Sequence, residues 1–385
     1  MKKFISYGKQ WVEDDDIQSV VNILKSDFLT QGPKIEEFEK AICRYTGAKY
    51  CVAVSNGTAA LHLAVAALNI KKGDEGVTSP ITFVASANSL IYNGLTPVFA
   101  DIDKKTYNID PQEIEKKINN KTKVLIPVHF AGQPADMEAI KKIADENHLF
   151  VIEDASHAIG STYIDGSKAG NCKHSDLTTF SFHPVKTITT GEGGAITTND
   201  KKLYEKLLML RSHGITKNPS KMSKNPGPWY YEMQMLGFNY RLTDMQAALG
   251  ISQLKKLDKF KARRREIMTK YNEAFSNLPN ITIPYEEKSL ESAFHLYVIQ
   301  IDFDKIGKTR KQVMDELKQK NIGTQVHYIP VHLQPYYQKK YGYKKDNYPI
   351  AEEYYLKCLS LPLYPKMTND DVNYVVKELK NAIGK

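Results

Sequence analysis

Four cysteines in 385 residues are too few and too scattered for a covalent framework. Cys43, Cys51, Cys172 and Cys358 form no CxxC pair, which argues against a disulfide scaffold and against a zinc site. No metal is expected, and a reduced cytoplasmic protein is. No apolar run reaches membrane-spanning length, so no membrane association is expected. Met1-Lys2-Lys3 gives way to polar residues within a few positions, so no secretory leader is expected either. Internal repeats and low-complexity tracts are missing, which excludes a solenoid. Helix-turn-helix, zinc and RNA-binding motifs are missing too. The chain nevertheless has a formal net charge of +9. Its lysines are spread out, and the densest cluster, residues 255–265, reads as one polar helix face. A small anionic ligand such as a nucleotide sugar uses that excess as well as nucleic acid would, and no nucleic-acid partner is expected.

What is present is globular: 42% hydrophobic and 25% charged residues. The length favours two domains. A larger unit over residues 1–258, with a helical N-terminal segment, and a smaller α/β unit over 259–385 are expected. A break is read at 277–284. Helix and strand signals alternate through the larger unit. Strands are expected at 50–54, 77–79, 97–101, 124–128, 150–154 and 178–182, with helices between them. That alternation predicts a mostly parallel sheet with helices on both faces. In such sheets ligands bind beyond the carboxyl ends of strands. An amphipathic helix opens at Asp14-Asp15-Asp16, with Ile17, Val20, Val21 and Leu24 as its apolar stripe. In the smaller unit, strands are expected at 296–301 and 324–328, and helices at 309–320, 350–359 and 369–383.

The chemistry centres on Phe180-Ser181-Phe182-His183-Pro184-Val185-Lys186. Residues 178–182 are β-branched and aromatic, hence a short buried strand. Pro184 has no N–H for a ladder and ends it. Lys186 follows on a loop, near the hydroxyls of Ser181, Thr187, Thr189 and Thr190 and before Gly191-Glu192-Gly193-Gly194. Partial desolvation lowers a lysine's pKa and frees its amine to attack a carbonyl as an imine-forming nucleophile. A lone lysine after a turn is more often simply solvated, so two upstream sites decide the matter.

The first is Ser55-Asn56-Gly57-Thr58, between a strand and an Ala/Leu-rich helix. Free N–H groups and the positive end of the dipole make an anion seat there, which is also what an ordinary capped turn looks like. The second is Glu153-Asp154-Ala155-Ser156-His157 at a strand end. Asp154 is either a helix cap or the partner of a cationic ring nitrogen. His157 is either a satisfied polar residue or a cover for one face of a planar ring.

An anion seat, a strand-end acid and a strand-exit lysine, in that order, are what pyridoxal phosphate chemistry needs. With Ser55-Asn56-Gly57-Thr58-Ala59-Ala60-Leu61, Glu153-Asp154-Ala155, His157-Ala158-Ile159-Gly160, Glu192-Gly193-Gly194, Asn239-Tyr240-Arg241 and Ala247-Ala248-Leu249-Gly250, the chain resembles the DegT/DnrJ/StrS sugar aminotransferases over nearly its whole length. The resemblance implies fold type I and pyridoxal 5'-phosphate, cycling through its pyridoxamine form. It implies Lys186 as the imine-forming and proton-moving residue and Asp154 as the partner of the ring nitrogen. Phe83 would lie over the ring, and His157 near its other side or its phenolic oxygen. Gly57, Thr58 and Ser181 would hold the phosphate, with Asn239 and Arg241 reaching it from the second subunit of a homodimer. His327 and Tyr328 are candidates for the sugar nucleotide. Within the family, 183–190, 228–233 and 326–332 resemble transaminases that aminate C4 of a UDP-linked 4-keto-6-deoxy-N-acetylhexosamine on the pseudaminic acid route, with L-glutamate as donor. Relatives acting on other nucleotide-linked 4-keto sugars, of the perosamine type, share the core motifs. A dehydratase of the same fold carries histidine in place of Lys186, and a silent cofactor-binding regulator has no need of all three elements. One departure is Gly76, where the family usually has an aliphatic residue. Glycine weakens a strand by roughly 0.5–1 kcal/mol.

Overall fold

The computed structural model describes residues 3–384, so Met1 and Lys2 of the opening Met-Lys-Lys lie outside the described residues. Seven strands make the central sheet: β1 (Tyr50–Val54), β2 (Glu75–Thr78), β3 (Thr96–Phe99), β4 (Thr122–Ile126), β5 (Phe150–Asp154), β6 (Leu177–Ser181) and β7 (Gly194–Thr198). They lie in the order β1-β7-β6-β5-β4-β2-β3. Strands β2 to β6 pair in parallel, and β7 runs antiparallel between β1 and β6. The expected α/β architecture is observed. Strand β7 was not foreseen, because Gly191 to Gly194 reads as a turn and hides the buried run that follows.

The helices are α1 (Asp14–Leu24), α2 (Pro33–Thr46), α3 (Gly57–Ala67), α4 (Ala85–Tyr92), α5 (Pro111–Glu115), α6 (Met137–Glu146), α7 (Lys201–Arg211), α8 (Asp244–Leu254) and α9 (Leu257–Phe275), with further ones beyond. The two-residue period of a strand sorts side chains between layers. Cys51 and Ala53 of β1 join Phe38 and Ile42 of α2 in one core, while Val52 and Val54 join Leu61 and Leu63 of α3 in another. Phe38 meets Phe182 edge-on, with ring centres 5.4 Å apart and both rings buried. Each buried Phe contributes roughly 1.5–3 kcal/mol. This packing fixes the chain just before Lys186.

Residues 215–233 form a two-stranded hairpin, β8 (Ile215–Thr216) with β9 (Glu232–Met233). A three-stranded antiparallel sheet follows, β10 (Ile281–Thr282), β11 (Tyr297–Ile301) and β12 (Cys358–Leu361), with β11 in the middle. It packs on a core that includes Ile267, Tyr271 and Phe275 of α9, whereas Leu257 and Phe260 of the same helix belong to the larger core. The division after residue 258 therefore cuts a continuous helix near its first turn, and we keep it as a proposal.

Four readings are corrected. Residues 324–328 form no strand; only Gln325 bridges Ser360, because Cys358–Leu361 takes the place beside β11 and ends the preceding helix at Lys357. The stripe of α1 is not its buried face. Ile17 and Leu24 are 54% and 57% exposed, while Asp16 is fully buried. Asp16 turns inward because its Oδ2 accepts from Glu13 N, Gln253 Nε2 and Lys256 Nζ at 2.8–2.9 Å. The basic run 255–265 is not one polar face either. Arg264 is fully buried and donates through Nη1 to the carbonyls of Phe294, His295 and Leu363. Gly76, finally, is a packing requirement: a Cβ there would lie 2.3 Å from Leu90 Cδ2 and 3.0 Å from Val124 Cγ1.

Candidate active site

The carboxyl ends of β1, β5 and β6 open onto one cleft of about 900 Å³. Gly57, Thr58, Phe83, Asp154, His157, Ser181, Lys186, His327 and Tyr328 all line it. Asn239 and Arg241 do not. Their segment runs along the end of β1 through Val54 and Ser212 bridges, leaving Asn239 exposed and Arg241 half-buried.

Lys186 is half-buried rather than loop-exposed. Its backbone N–H donates to His183 O at 2.9 Å, closing a turn immediately after β6. Burial lowers its pKa to about 8, against an upward pull from the Asp154 carboxylate. The neighbouring threonines do not surround it. Thr189 Oγ1 donates to Phe182 O at 2.9 Å and Thr190 Oγ1 to Glu192 O at 2.7 Å, so they fasten the loop.

Asp154 is buried. Its Oδ2 accepts from Ser86 Oγ at 2.7 Å and its Oδ1 from Ser156 N–H at 3.1 Å. Each oxygen keeps one lone pair for a further donor. It caps no helix. Ser86 was not picked out, although Thr82 and Ser86 stand one helical turn apart and their hydroxyls meet at 2.7 Å.

His157 accepts from Ala131 N–H at Nδ1 (3.3 Å), so its proton sits on Nε2 and is donated to Tyr328 Oη at 3.1 Å. Burial first, then the Lys186 charge, holds this imidazole well below its ordinary pKa and neutral. The same causes take His327 to about 3, while its Nδ1 lies 2.8 Å from Ser360 Oγ. His295 also faces the cleft, its ring 4.4 Å from that of His157, and its buried Nδ1 has no partner among the described residues. A lone histidine between Phe294 and Leu296 carries no motif, which is why it went unnoticed. Tyr7, ahead of α1 in the chain, lines the same cleft.

At the other end, α3 begins at Gly57, and Asn56 Oδ1 caps it by accepting from Ala59 N–H at 2.8 Å. The remaining amides of the first turn are free for an anion. A Cβ on Gly57 would stand 2.7 Å from Ser181 Cβ, so only glycine lets the helix start and the Ser181 hydroxyl converge.

The DegT/DnrJ/EryC1/StrS aminotransferase family model matches residues 10–380. The chain belongs to this family. The aminotransferase is 45% identical over 384 residues to the spore coat polysaccharide biosynthesis protein SpsC of Bacillus subtilis, covering 99% of this chain and 97% of that one. Its fold superposes on Helicobacter pylori PseC, an aminotransferase involved in pseudaminic acid biosynthesis, with a TM-score of 0.92, 33% identity and coverage of 99% and 100%. The sugar aminotransferase Spr1654 of Streptococcus pneumoniae, described as putative and solved in its pyridoxamine phosphate form, gives 0.91 at 30% identity, covering 99% of both chains. The cofactor of the aminotransferase is pyridoxal phosphate. The cleft fits it: a phosphate seat at the start of α3, a carboxylate with spare lone pairs and an amine of lowered pKa face one space. Among the described residues no cluster of His, Cys, Asp or Glu could hold a metal ion, and no helix is long and apolar enough to cross a membrane.

Proposed function

We propose that this aminotransferase moves an amino group, with L-glutamate as donor, to C4 of a UDP-linked 4-keto-6-deoxy-N-acetylhexosamine on a route to pseudaminic acid. The observation that carries the reading is one cleft holding both an amine of pKa about 8 and an anion seat, with histidines and a tyrosine in its lining. Pyridoxal phosphate, when bound, supplies an electron sink for carbon–nitrogen chemistry. Lys186 would hold it through its amine and would carry the proton at the substrate carbon. Asp154 holds the proton on the ring nitrogen. Gly57, Thr58 and Ser181 would hold the phosphate, Phe83 would lie over the ring, and His157 would sit near its other side or its phenolic oxygen. His327 and Tyr328 meet the sugar nucleotide. Tyr328 accepts from His157, so its own hydroxyl proton is free to point at a substrate oxygen.

The site is shared in a homodimer, with Asn239 and Arg241 of each subunit reaching the other's phosphate. Neither side chain lines its own chain's cleft, although Tyr240 between them does, and Trp229, Met233 and Leu236 earlier on the same stretch are 71%, 60% and 76% exposed. A patch of that kind marks an interaction surface. Four free thiols suit a cytoplasmic setting. The 45% identity to a spore coat polysaccharide protein favours a second reading, another nucleotide-linked 4-keto sugar. Mass spectrometry of products from UDP-, GDP- and dTDP-linked 4-keto sugars with L-glutamate separates the two. Fastest amination of the UDP-linked N-acetyl sugar supports the first; a much faster GDP- or dTDP-linked substrate replaces it with the second.

A further inference from the structure

Glu153 neighbours Asp154 on β5 and, by the strand period, faces the opposite side of the sheet. It is fully buried. Its Oε2 accepts from His129 Nε2 at 2.7 Å and from the Tyr163 hydroxyl; its Oε1 accepts from Thr178 Oγ1 at 3.0 Å and from the Ser175 hydroxyl. Two carboxylate oxygens offer four lone-pair sites, and all four are used. His129 Nδ1 accepts from Ala135 N–H at 3.1 Å, so its proton lies on Nε2 and the imidazole is neutral. The group is a buried anion with donors around it and no cation against it.

His129 also fastens Asp154, together with backbone on both sides of β5. His129 N–H donates to Asp154 O at 3.1 Å, and Asp154 N–H to Pro127 O at 2.9 Å. On the other side Thr179 Oγ1 donates to Glu153 O at 3.1 Å and Ala155 N–H to Thr179 O at 2.9 Å. The carboxylate thus ties together the segment just after β4, the carboxyl end of β5 and the first residues of β6. Apolar residues would hold such a core as firmly, because desolvating a carboxylate costs several kcal/mol.

We propose that Glu153 and His129 are positioning residues for the transamination: they fix Asp154 toward the ring nitrogen, and the Glu153 charge deepens the negative potential there. This rests on the reading of Asp154 given above. Glu153→Gln keeps the shape and removes the charge. In the holoprotein, the pH midpoint of the visible absorption change reports how strongly the site holds its proton. We expect Glu153→Gln to lower it by about half a unit to one unit and to weaken cofactor binding about tenfold. We expect kcat to fall with KM unchanged and Glu153→Asp to restore most of the midpoint. The other titratable groups lining the cleft with Lys186, namely Tyr7, Tyr92, His157, His183, Glu192, Tyr240, His295, His327 and Tyr328, stay as they are. If Glu153→Gln does not fold, Tyr163→Phe, which removes one donor and leaves the charge in place, gives a smaller shift of the opposite sign, because the Glu153 charge is then less neutralised. A variant that melts lower but keeps the wild-type midpoint and cofactor affinity overturns the proposal. Asp154→Asn, measured alongside, locates the failure. If it shifts both readouts while Glu153→Gln shifts neither, only the positioning role is lost. If it shifts neither, the reading of Asp154 falls with it.

Discussion

Ser86 donates its hydroxyl proton to Asp154, Oγ to Oδ2, at 2.7 Å. A helix on one side of the cleft thus orients the acid at the end of β5. Asp154→Asn is expected to keep the fold and some cofactor and to lose turnover about 100-fold or more, since a neutral amide cannot hold a ring proton. Ser86→Ala removes one bond to a charged group, about 1.5–3 kcal/mol, and should cost about tenfold or more. Steady-state rates check both; wild-type rates in Asp154→Asn would leave that residue with no chemical role.

Lys186→Ala is expected to fold and to show neither turnover nor the visible absorption of bound pyridoxal phosphate. In the wild-type apoprotein the rate of cofactor attachment should rise with pH through about 8, because the neutral amine attacks and the protonated form predominates below that value. Stopped-flow absorbance between pH 6 and 10, a range set around that value, reads it. A flat profile, or one still rising steeply at pH 10 as that of free lysine (about 10.4) would, contradicts the assignment.

Gly76→Val should destabilise the protein by about 1–3 kcal/mol through overpacking, even though valine favours strands. The new Cβ would meet Leu90 Cδ2 at 2.3 Å. Adding Leu90→Ala should return part of the loss, which a urea melt measures. A more stable Gly76→Val single variant would mean that Leu90 moves aside at no cost.

If the site is shared, two inactive proteins should complement each other. Lys186→Ala mixed with an Asn239→Ala/Arg241→Ala double variant, under conditions that exchange subunits, is expected to give one intact site per mixed dimer and partial activity. No recovery despite proven exchange assigns the 237–243 segment to its own chain's cleft.

Much of the site is written in short stretches. The Ser55 to Thr58 turn, the acid at the end of β5 and the lysine beyond β6 are each a strand, a break and one reactive residue. Periodicity and turn chemistry act between neighbours, so they survive without a fold. His295 and Ser86 carry no such local mark. They join the site because a loop before β11 and the start of α4 are folded against it.

By itself the sequence determined the alternation of strand and helix, the glycine and proline breaks, and the order of anion seat, acid and lysine. Only the tertiary structure decided which polar groups go inside. Arg264 sits in a run that looks solvated and is buried because carbonyls 30, 31 and 99 residues away accept its protons. Asp16 turns inward for partners on α8 and just beyond it. Residues 324–328 have strand composition, yet β12 holds the place beside β11, and His327 and Tyr328 face the cleft instead. Burial of a charge or pairing of a strand depends on partners from distant segments, and no local pattern names them.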